Sequence, residues 1–343
     1  MRIAQIRLQK KTPCASNRRI SLKTSSLAKS KETPSCAFLA NLHPMKNLLS
    51  IKALTEQEIT DIVELGAALR KNRAASPQVL NGQCWALIFN KSSTRTRVSF
   101  EVGIRELGGS VMFLSGADTQ LGRGEPVRDT ARVLGRMVHG AVIRTYAQAD
   151  VEEFASFSGL PTINALTDEE HPCQILADLQ LMQEQLGGWK GRRVCFLGDG
   201  DCNVARSWMW AASRLGFELN IGAPKSFQPP GDFVERLGTG QVKFIDDPQK
   251  AVAGADVVYT DVWVSMGKEE ESIKRLQILK PYQINTALMA HAAKHAIVMH
   301  CLPAYRGKEI TDEVLEKHAD IIFQEAENRL HAQKAVIVWM LQQ

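Results

Sequence analysis

The chain has no apolar run approaching the roughly 18 to 20 residues that a membrane-spanning helix needs, so no such span is expected. It has no C-x-x-C pair. Its seven cysteines are scattered, and Cys84 and Cys195 sit inside apolar, strand-like runs, which is the pattern of buried thiols in a reducing compartment. Nothing in that pattern asks for a structural metal. An excess of positive charge is also missing from most of the chain. Residues 1–44 hold nine Lys/Arg and one acid, Glu32, giving +8, whereas the other 299 residues hold 33 basic and 36 acidic groups, giving −3. The overall +5 belongs to this leader, and the remaining body has no surplus charge to attract a nucleic-acid backbone. There is no internal repeat and no low-complexity tract beyond the leader.

The leader is rich in Ser, Lys, Arg and Thr and shows no helical or strand periodicity, so it is expected to be disordered. Two readings of it stay open. It has the composition of an organellar transit peptide, but it lacks a sustained Arg-bearing amphipathic pattern, which favours translation starting at Met45. The second reading implies a cytoplasmic protein and the first an organellar one.

With 343 residues, 44% of them hydrophobic and 23% charged, the chain can bury the cores of two domains. Thr55 with Glu58 three residues on forms a capping box for an amphipathic helix reaching Lys71. Apolar runs at 84–89, 111–114, 141–144 and 162–164 read as strands and alternate with helical patterns at 98–107, 127–138 and 149–158. After a helix at 172–186 and the Gly187-Gly188 break, strands follow at 194–197, 219–222, 242–245, 257–260 and 297–300, and an amphipathic helix closes the chain from about Glu325 to Leu341. This alternation predicts an α/β protein of two doubly wound parallel-sheet domains, with ligands bound at the carboxyl ends of the strands in the cleft between them. The expected boundaries are a leader over 1–44, a first domain over 45–186, a second over 187–324 and a final helix over 325–343.

Lys91-Ser92-Ser93-Thr94-Arg95-Thr96-Arg97 lies between a strand and a helix. The free N–H groups of a first helical turn, three hydroxyls and the guanidinium forks make such a turn a trap for phosphate. A plain N-cap with solvated basic residues explains the run equally well. Gly198-Asp199-Gly200 starts like a dinucleotide fingerprint, but the third glycine position is Asn203, so a nicotinamide cofactor is not expected. Cys301 beside His300 invites a nucleophile role, which would require the thiol to be activated as a thiolate. His171-Pro172 fits a simple helix start with proline at N1, and Arg329 fits a surface ion pair with Glu325 one turn earlier.

Three further motifs, His171-Pro172-Cys173-Gln174, Asp261-Val262-Trp263-Val264-Ser265-Met266-Gly267 and His300-Cys301-Leu302-Pro303, each follow a strand-like run. Together with Ser93-Thr94-Arg95-Thr96, their order and spacing resemble the aspartate/ornithine transcarbamoylase family, and within it the ornithine carbamoyltransferases. The resemblance runs from about Leu48 to the end. It implies transfer of a carbamoyl group from carbamoyl phosphate to the δ-amine of L-ornithine in arginine biosynthesis, with no cofactor and no metal. It further implies that Ser93, Thr94, Arg95, Thr96, Arg144 and Arg329 hold the phosphate, and that His171, Gln174, Cys301 and Leu302 address the carbamoyl end. Arg95, Arg144, His171 and Cys301 are the implied catalytic set. Gln120 would reach a neighbouring subunit's site, making a homotrimer the smallest active unit, and Asn203, Asp261, Ser265 and Met266 would hold ornithine. Relatives often carry two adjacent asparagines where this chain has Cys202-Asn203, and the second is retained. A transcarbamoylase for another amine such as putrescine, and a non-catalytic binding homologue, are the competing readings.

Overall fold

The computed structural model describes residues 46–116, 124–238, 240–264 and 272–342; the leader, Gln120, Ser265 and Met266 lie outside them. The strands are β1 (Cys84–Phe89), β2 (Ser110–Ser115), β3 (Gly140–Arg144), β4 (Thr162–Leu166), β5 (Arg193–Leu197), β6 (Glu218–Gly222), β7 (Val242–Ile245), β8 (Val257–Thr260) and β9 (Ile297–His300). The helices are α1 (Glu56–Lys71), α2 (Thr94–Glu106), α3 (Val127–Leu134), α4 (Gln148–Ser158), α5 (Pro172–Leu186), α6 (Asn203–Leu215), α7 (Gly231–Leu237), α8 (Pro248–Val252), α9 (Ser272–Leu279), α10 (Thr286–Met289), α11 (Asp312–Lys317) and α12 (Ala319–Leu341).

Two parallel sheets result, one ordered β2-β1-β3-β4 and the other β7-β6-β5-β8-β9. In the first, successive residues of β1 and β3 enter opposite cores: Trp85, Leu87, Phe89 and Val142 one way, Ala86, Ile88, Ala141 and Ile143 the other. That period of two, with apolar residues on both faces, is what a sheet covered on both sides by helices requires. Chain order reverses between β1 and β3 in one sheet and between β5 and β8 in the other. At such switch points the crossovers leave toward opposite faces and open a crevice at the carboxyl ends of the strands.

Local signals explain several boundaries. The Thr55 side chain accepts from Glu58 N while Glu58 reaches back to Thr55 N, so the expected capping box starts α1. The helix after β1 begins at Thr94, four residues earlier than the apolar periodicity suggested, because Ser93 caps it and its first turn is polar. The last helix differs more. It starts at Ala319, and from Asn328 to Met340 it is buried on every side rather than amphipathic, since α1, α2 and α5 all pack on it. Even Lys334 is enclosed there, its Nζ donating to Glu106 Oε2 at 2.7 Å and to Ser76 Oγ at 3.1 Å. The final helix therefore joins the body of the first sheet's layer. Among the described residues no helix is long and apolar enough to cross a membrane.

Candidate active site

Every described residue that the sequence proposes for the site stands at or just beyond the carboxyl end of a strand, or on α2, α5, α6 or α12. From β1 the chain enters the polar turn in which Ser93 Oγ accepts from Thr96 N at 3.3 Å. Arg95 and Thr94 are exposed and Thr96 is buried. Arg97, by contrast, turns away: its guanidinium stacks on Phe113 at 3.8 Å and pairs with Glu101, so it behaves as an ordinary surface arginine. Lys91 clamps the start of the turn to the loop before α5 through an ion pair with Asp168, and it lies over the Tyr146 ring at 4.3 Å.

Arg144 ends β3, directly beside β1 in the register Phe89–Arg144. It is 8% exposed, its Nε has no partner, and burial together with Arg329 and Arg95 pushes its pKa down to about 10. It stays cationic at neutral pH. On α12, Arg329 donates from Nη2 to Thr96 Oγ1 at 3.0 Å and from Nη1 to Gln174 Oε1 at 2.7 Å. Three guanidinium groups thus converge with no carboxylate ion pair on any of them among the described residues. Such an arrangement is costly unless an anion is its partner.

The helix α5 does start at Pro172 with His171 as its N-cap residue, but the ring is buried rather than a solvated flank. Its backbone N–H donates to Ser207 Oγ at 2.8 Å, which ties the head of α5 to α6. Its Nδ1 is buried without a partner, and burial, Arg329 and Arg144 hold the imidazole pKa well below its ordinary value, so the ring is neutral at pH 7. The Arg329–Glu325 ion pair is likewise not formed: Glu325 accepts instead from His300 N at 2.8 Å, Gln174 Nε2 at 3.1 Å and Tyr259 Oη at 3.3 Å.

The second sheet brings its own group to the same place. Asp261, past β8, accepts from the Cys301 thiol at 3.0 Å across the gap to the end of β9. Burial first, then the Asp261 charge, push the Cys301 thiol well above its ordinary pKa, which removes the thiolate a nucleophile would need. Burial also raises the Asp261 carboxyl. Leu302 adopts φ 58°, a left-handed conformation that costs a leucine energy, and its N–H donates to His300 Nδ1 at 2.9 Å. That bond leaves Nε2 of His300 to face Glu309 Oε1 at 3.2 Å. Asp261, His300 and Cys301 bring ligand atoms within 4.8 Å of one another, but each is already engaged in these hydrogen bonds.

In the turn after β5, Asn203 Nδ2 donates to Thr167 O at 2.7 Å, again linking the two sheets' loops. The glycines of this turn serve packing. A Cβ on Gly198 would lie 2.8 Å from Trp263 Nε1, and one on Gly200 would lie 2.6 Å from Ile221 Cγ2, so neither position has room for a larger side chain. Asp199 forms a buried ion pair with Arg275, whose Nε donates to Trp263 O at 2.9 Å. The reading from sequence missed Asp178, Tyr259 and Ser207. Asp178 carried a signal, as an acid four residues after Gln174 in an otherwise apolar stretch of helix; the other two are recognisable only once the elements are assembled.

Comparison with known proteins gives a consistent result. Residues 46–184 match a model described as the aspartate/ornithine carbamoyltransferase carbamoyl-P binding domain, and residues 190–340 match that family's Asp/Orn binding domain. A protein named ornithine carbamoyltransferase from Akkermansia muciniphila is 62% identical over 296 residues, covering 85% of this chain and 97% of that one. Another of that name from Carboxydothermus hydrogenoformans is 47% identical over 305 residues, covering 86% and 97%. Among solved structures, ornithine carbamoyltransferase from Pyrococcus furiosus superposes with a TM-score of 0.81 at 42% identity, over 86% of this chain and 96% of the other. The anabolic enzyme from Campylobacter jejuni gives 0.81 at 40% identity, over 86% and 99%. With both family domains matched in order and a relative at that identity spanning nearly its whole length, the chain belongs to the aspartate/ornithine carbamoyltransferase family.

Proposed function

We propose that this chain is an ornithine carbamoyltransferase, transferring the carbamoyl group of carbamoyl phosphate to the δ-amine of L-ornithine to yield L-citrulline and phosphate. The observation that carries this reading is the convergence of Arg95, Arg144 and Arg329 without a carboxylate, beside a neutral His171 and opposite the Asp261–Cys301 pair. An anionic donor fits the first group and an ammonium-bearing acceptor fits the second.

The phosphate is held by the Ser93, Thr94 and Thr96 hydroxyls, the N–H groups of the first turn of α2, Arg95 and Arg329. Arg144 spans phosphate and carbonyl oxygen, and neutral His171 donates to the carbonyl oxygen from its protonated ring nitrogen. Gln174 and the Cys301-Leu302 backbone orient the carbamoyl NH2. The δ-amine attacks as a free base, forming the new C–N bond and a tetrahedral oxyanion that the same donors stabilise, and collapse breaks the C–O bond to phosphate. The proton lost by the amine leaves with the phosphate. No covalent enzyme intermediate is needed, in keeping with a protonated Cys301 thiol. Asp261 pairs with the α-ammonium of ornithine, and Asn203 with Ser265 and Met266 encloses the amino acid.

The roles of Gln120, Ser265 and Met266 rest on their motifs. We take Gln120 to complete a neighbouring subunit's phosphate pocket in a homotrimer, the reaction to run toward citrulline in arginine biosynthesis, and the enzyme to act in the cytoplasm. The domain limits follow the same reading, with residues 1–44 outside the catalytic body, the phosphate side over 45–186, the ornithine side over 187–324 and the final helix returning to the first. Incubation of the unmodified protein with carbamoyl phosphate and L-ornithine is the test: one citrulline per phosphate released is expected, and phosphate release without citrulline would refute the transfer.

A further inference from the structure

Helices α5 and α12 each send one carboxyl into the same buried spot. Asp178 lies one turn after Gln174 on α5, and Glu325 one turn before Arg329 on α12. An i,i+4 Glu–Arg ion pair is the ordinary outcome of that spacing. Here the Gln174 side chain stands in between. Its Nε2 donates to Asp178 Oδ1 at 2.8 Å and to Glu325 Oε1 at 3.1 Å, while its Oε1 accepts from Arg329 Nη1 at 2.7 Å. Gln174, Asp178 and Glu325 are fully buried, and Arg329 is 5% exposed. Because one end of the amide meets only acceptors and the other meets a cationic donor, its orientation is fixed from both sides.

We propose that Asp178 and Glu325 are positioning residues that act through the Gln174 amide: they hold its NH2 end, so that its oxygen faces Arg329 and the guanidinium keeps its charge for the phosphate of carbamoyl phosphate. This rests on the activity proposed above. Two carboxyls that share one amide NH2 in a dry interior do not both ionise, and burial pushes Asp178 up to about 7 and Glu325 well above its ordinary value. Asp178 Oδ2 is buried without another partner, which is where a proton shared between the two can be accommodated. The groups facing the pair are Arg329 from α12, the Tyr259 hydroxyl from β8, and Cys301 and Asp261 beyond it; burial keeps both the phenol and the thiol protonated. A singly protonated pair carries one negative charge. It balances Arg329 through the amide without covering its donors, and a direct carboxylate contact would have consumed them.

Asp178→Leu and Glu325→Met roughly keep the volume of the pair but each removes an acceptor from the NH2 end of Gln174, so the amide is free to turn over and present its own NH2 to Arg329. Carbamoyl phosphate affinity, read by calorimetry without ornithine, should fall at least about tenfold in each variant, while KM for ornithine at saturating carbamoyl phosphate changes by less than about threefold. A pair that serves packing alone would lower melting temperature and leave that affinity unchanged, and this result overturns the proposal. Should neither variant fold, the infrared spectrum of the unmodified protein decides. A protonated-carboxyl C=O band at neutral pH that moves on 13C-aspartate or 13C-glutamate labelling supports the shared proton, and absence of any such band refutes it. An unmodified protein that neither binds carbamoyl phosphate nor forms citrulline would instead refute the activity on which the proposal rests.

Discussion

Replacing Arg144 by lysine tests the cation cluster through its pH dependence. The surroundings of Arg144 lower its pKa to about 10, by burial first and then by Arg329 and Arg95. Those surroundings act on any cation placed there. A lysine ordinarily loses its proton at a lower pH than arginine, and the same surroundings push it lower still, toward the assay range. Wild-type Arg144 stays charged throughout the assay range, whereas the lysine put in its place loses its proton within it. The rate itself climbs with pH as the ornithine δ-amine deprotonates, and the ratio of variant to wild type at each pH cancels that effect. With subsaturating carbamoyl phosphate, kcat/KM for citrulline formation in Arg144→Lys should be at least about tenfold below wild type at pH 6.5, from loss of the planar fork. The ratio should then fall further as the pH is raised to 9 and the lysine loses its charge. A ratio that is flat from pH 6.5 to 9 would show that the site does not desolvate this cation, and would refute the argument that it faces an anion in a dry pocket.

Other consequences follow from the same geometry. Arg95→Lys should lower turnover at least about tenfold while leaving the melting temperature within a few degrees, because the side chain is exposed and makes no ion pair among the described residues; wild-type turnover would remove Arg95 from the site. Asp261→Asn keeps the contact shape but drops the charge, so ornithine affinity measured in the presence of carbamoyl phosphate should weaken about tenfold or more, with carbamoyl phosphate affinity nearly unchanged. Equal weakening of both ligands would contradict a role confined to the amino acid. Cys301, held as a neutral thiol, should react with iodoacetamide at pH 7.5 far more slowly than free cysteine; rapid alkylation would reopen a nucleophilic role. A chain beginning at Met45 should match the full chain in melting temperature and turnover, and a loss of several degrees would show that the leader packs on the body.

Much of the fold was legible because its strands are short apolar runs that end at polar turns, most of them buried on both faces and only β2 and β7, at the sheet edges, partly exposed. The runs 84–89, 242–245, 257–260 and 297–300 are strands with those same limits. Apolar content marks such strands whatever their partners, although strand order depends on crossovers that no local signal encodes. The start of α2 was misplaced because its first turn is hydroxyl and guanidinium, giving no apolar period to detect. The character of α12 was misread for the opposite reason: Glu325, Asn328, Arg329, His331 and Lys334 give it a polar stripe, but that stripe faces Gln174, Glu184, Thr96 and Glu106 rather than solvent. The motifs that carry phosphate and amine chemistry were readable because their residue types are unusual at strand ends. Most partners that orient them were not, since Tyr259 and Ser207 become neighbours of Glu325 and His171 only after the sheets and helices are assembled, and Asp178, one turn from Gln174, shows its role only once it is buried. Periodicity assigns an acid in a helix to solvent; only the packed structure shows Asp178 sharing a buried amide with Glu325.

The most direct test of the central claim is the rate of carbamoyl transfer from carbamoyl phosphate to ornithine, putrescine, acetylornithine and aspartate, compared as kcat/KM under one set of conditions. An amine-binding site built around Asp261 and Asn203 on one side of the cleft, with three uncompensated guanidinium groups on the other, predicts citrulline from ornithine at a rate at least about a hundredfold above any other acceptor. Faster transfer to putrescine, or no transfer to any amine by a protein that still binds carbamoyl phosphate, would contradict it.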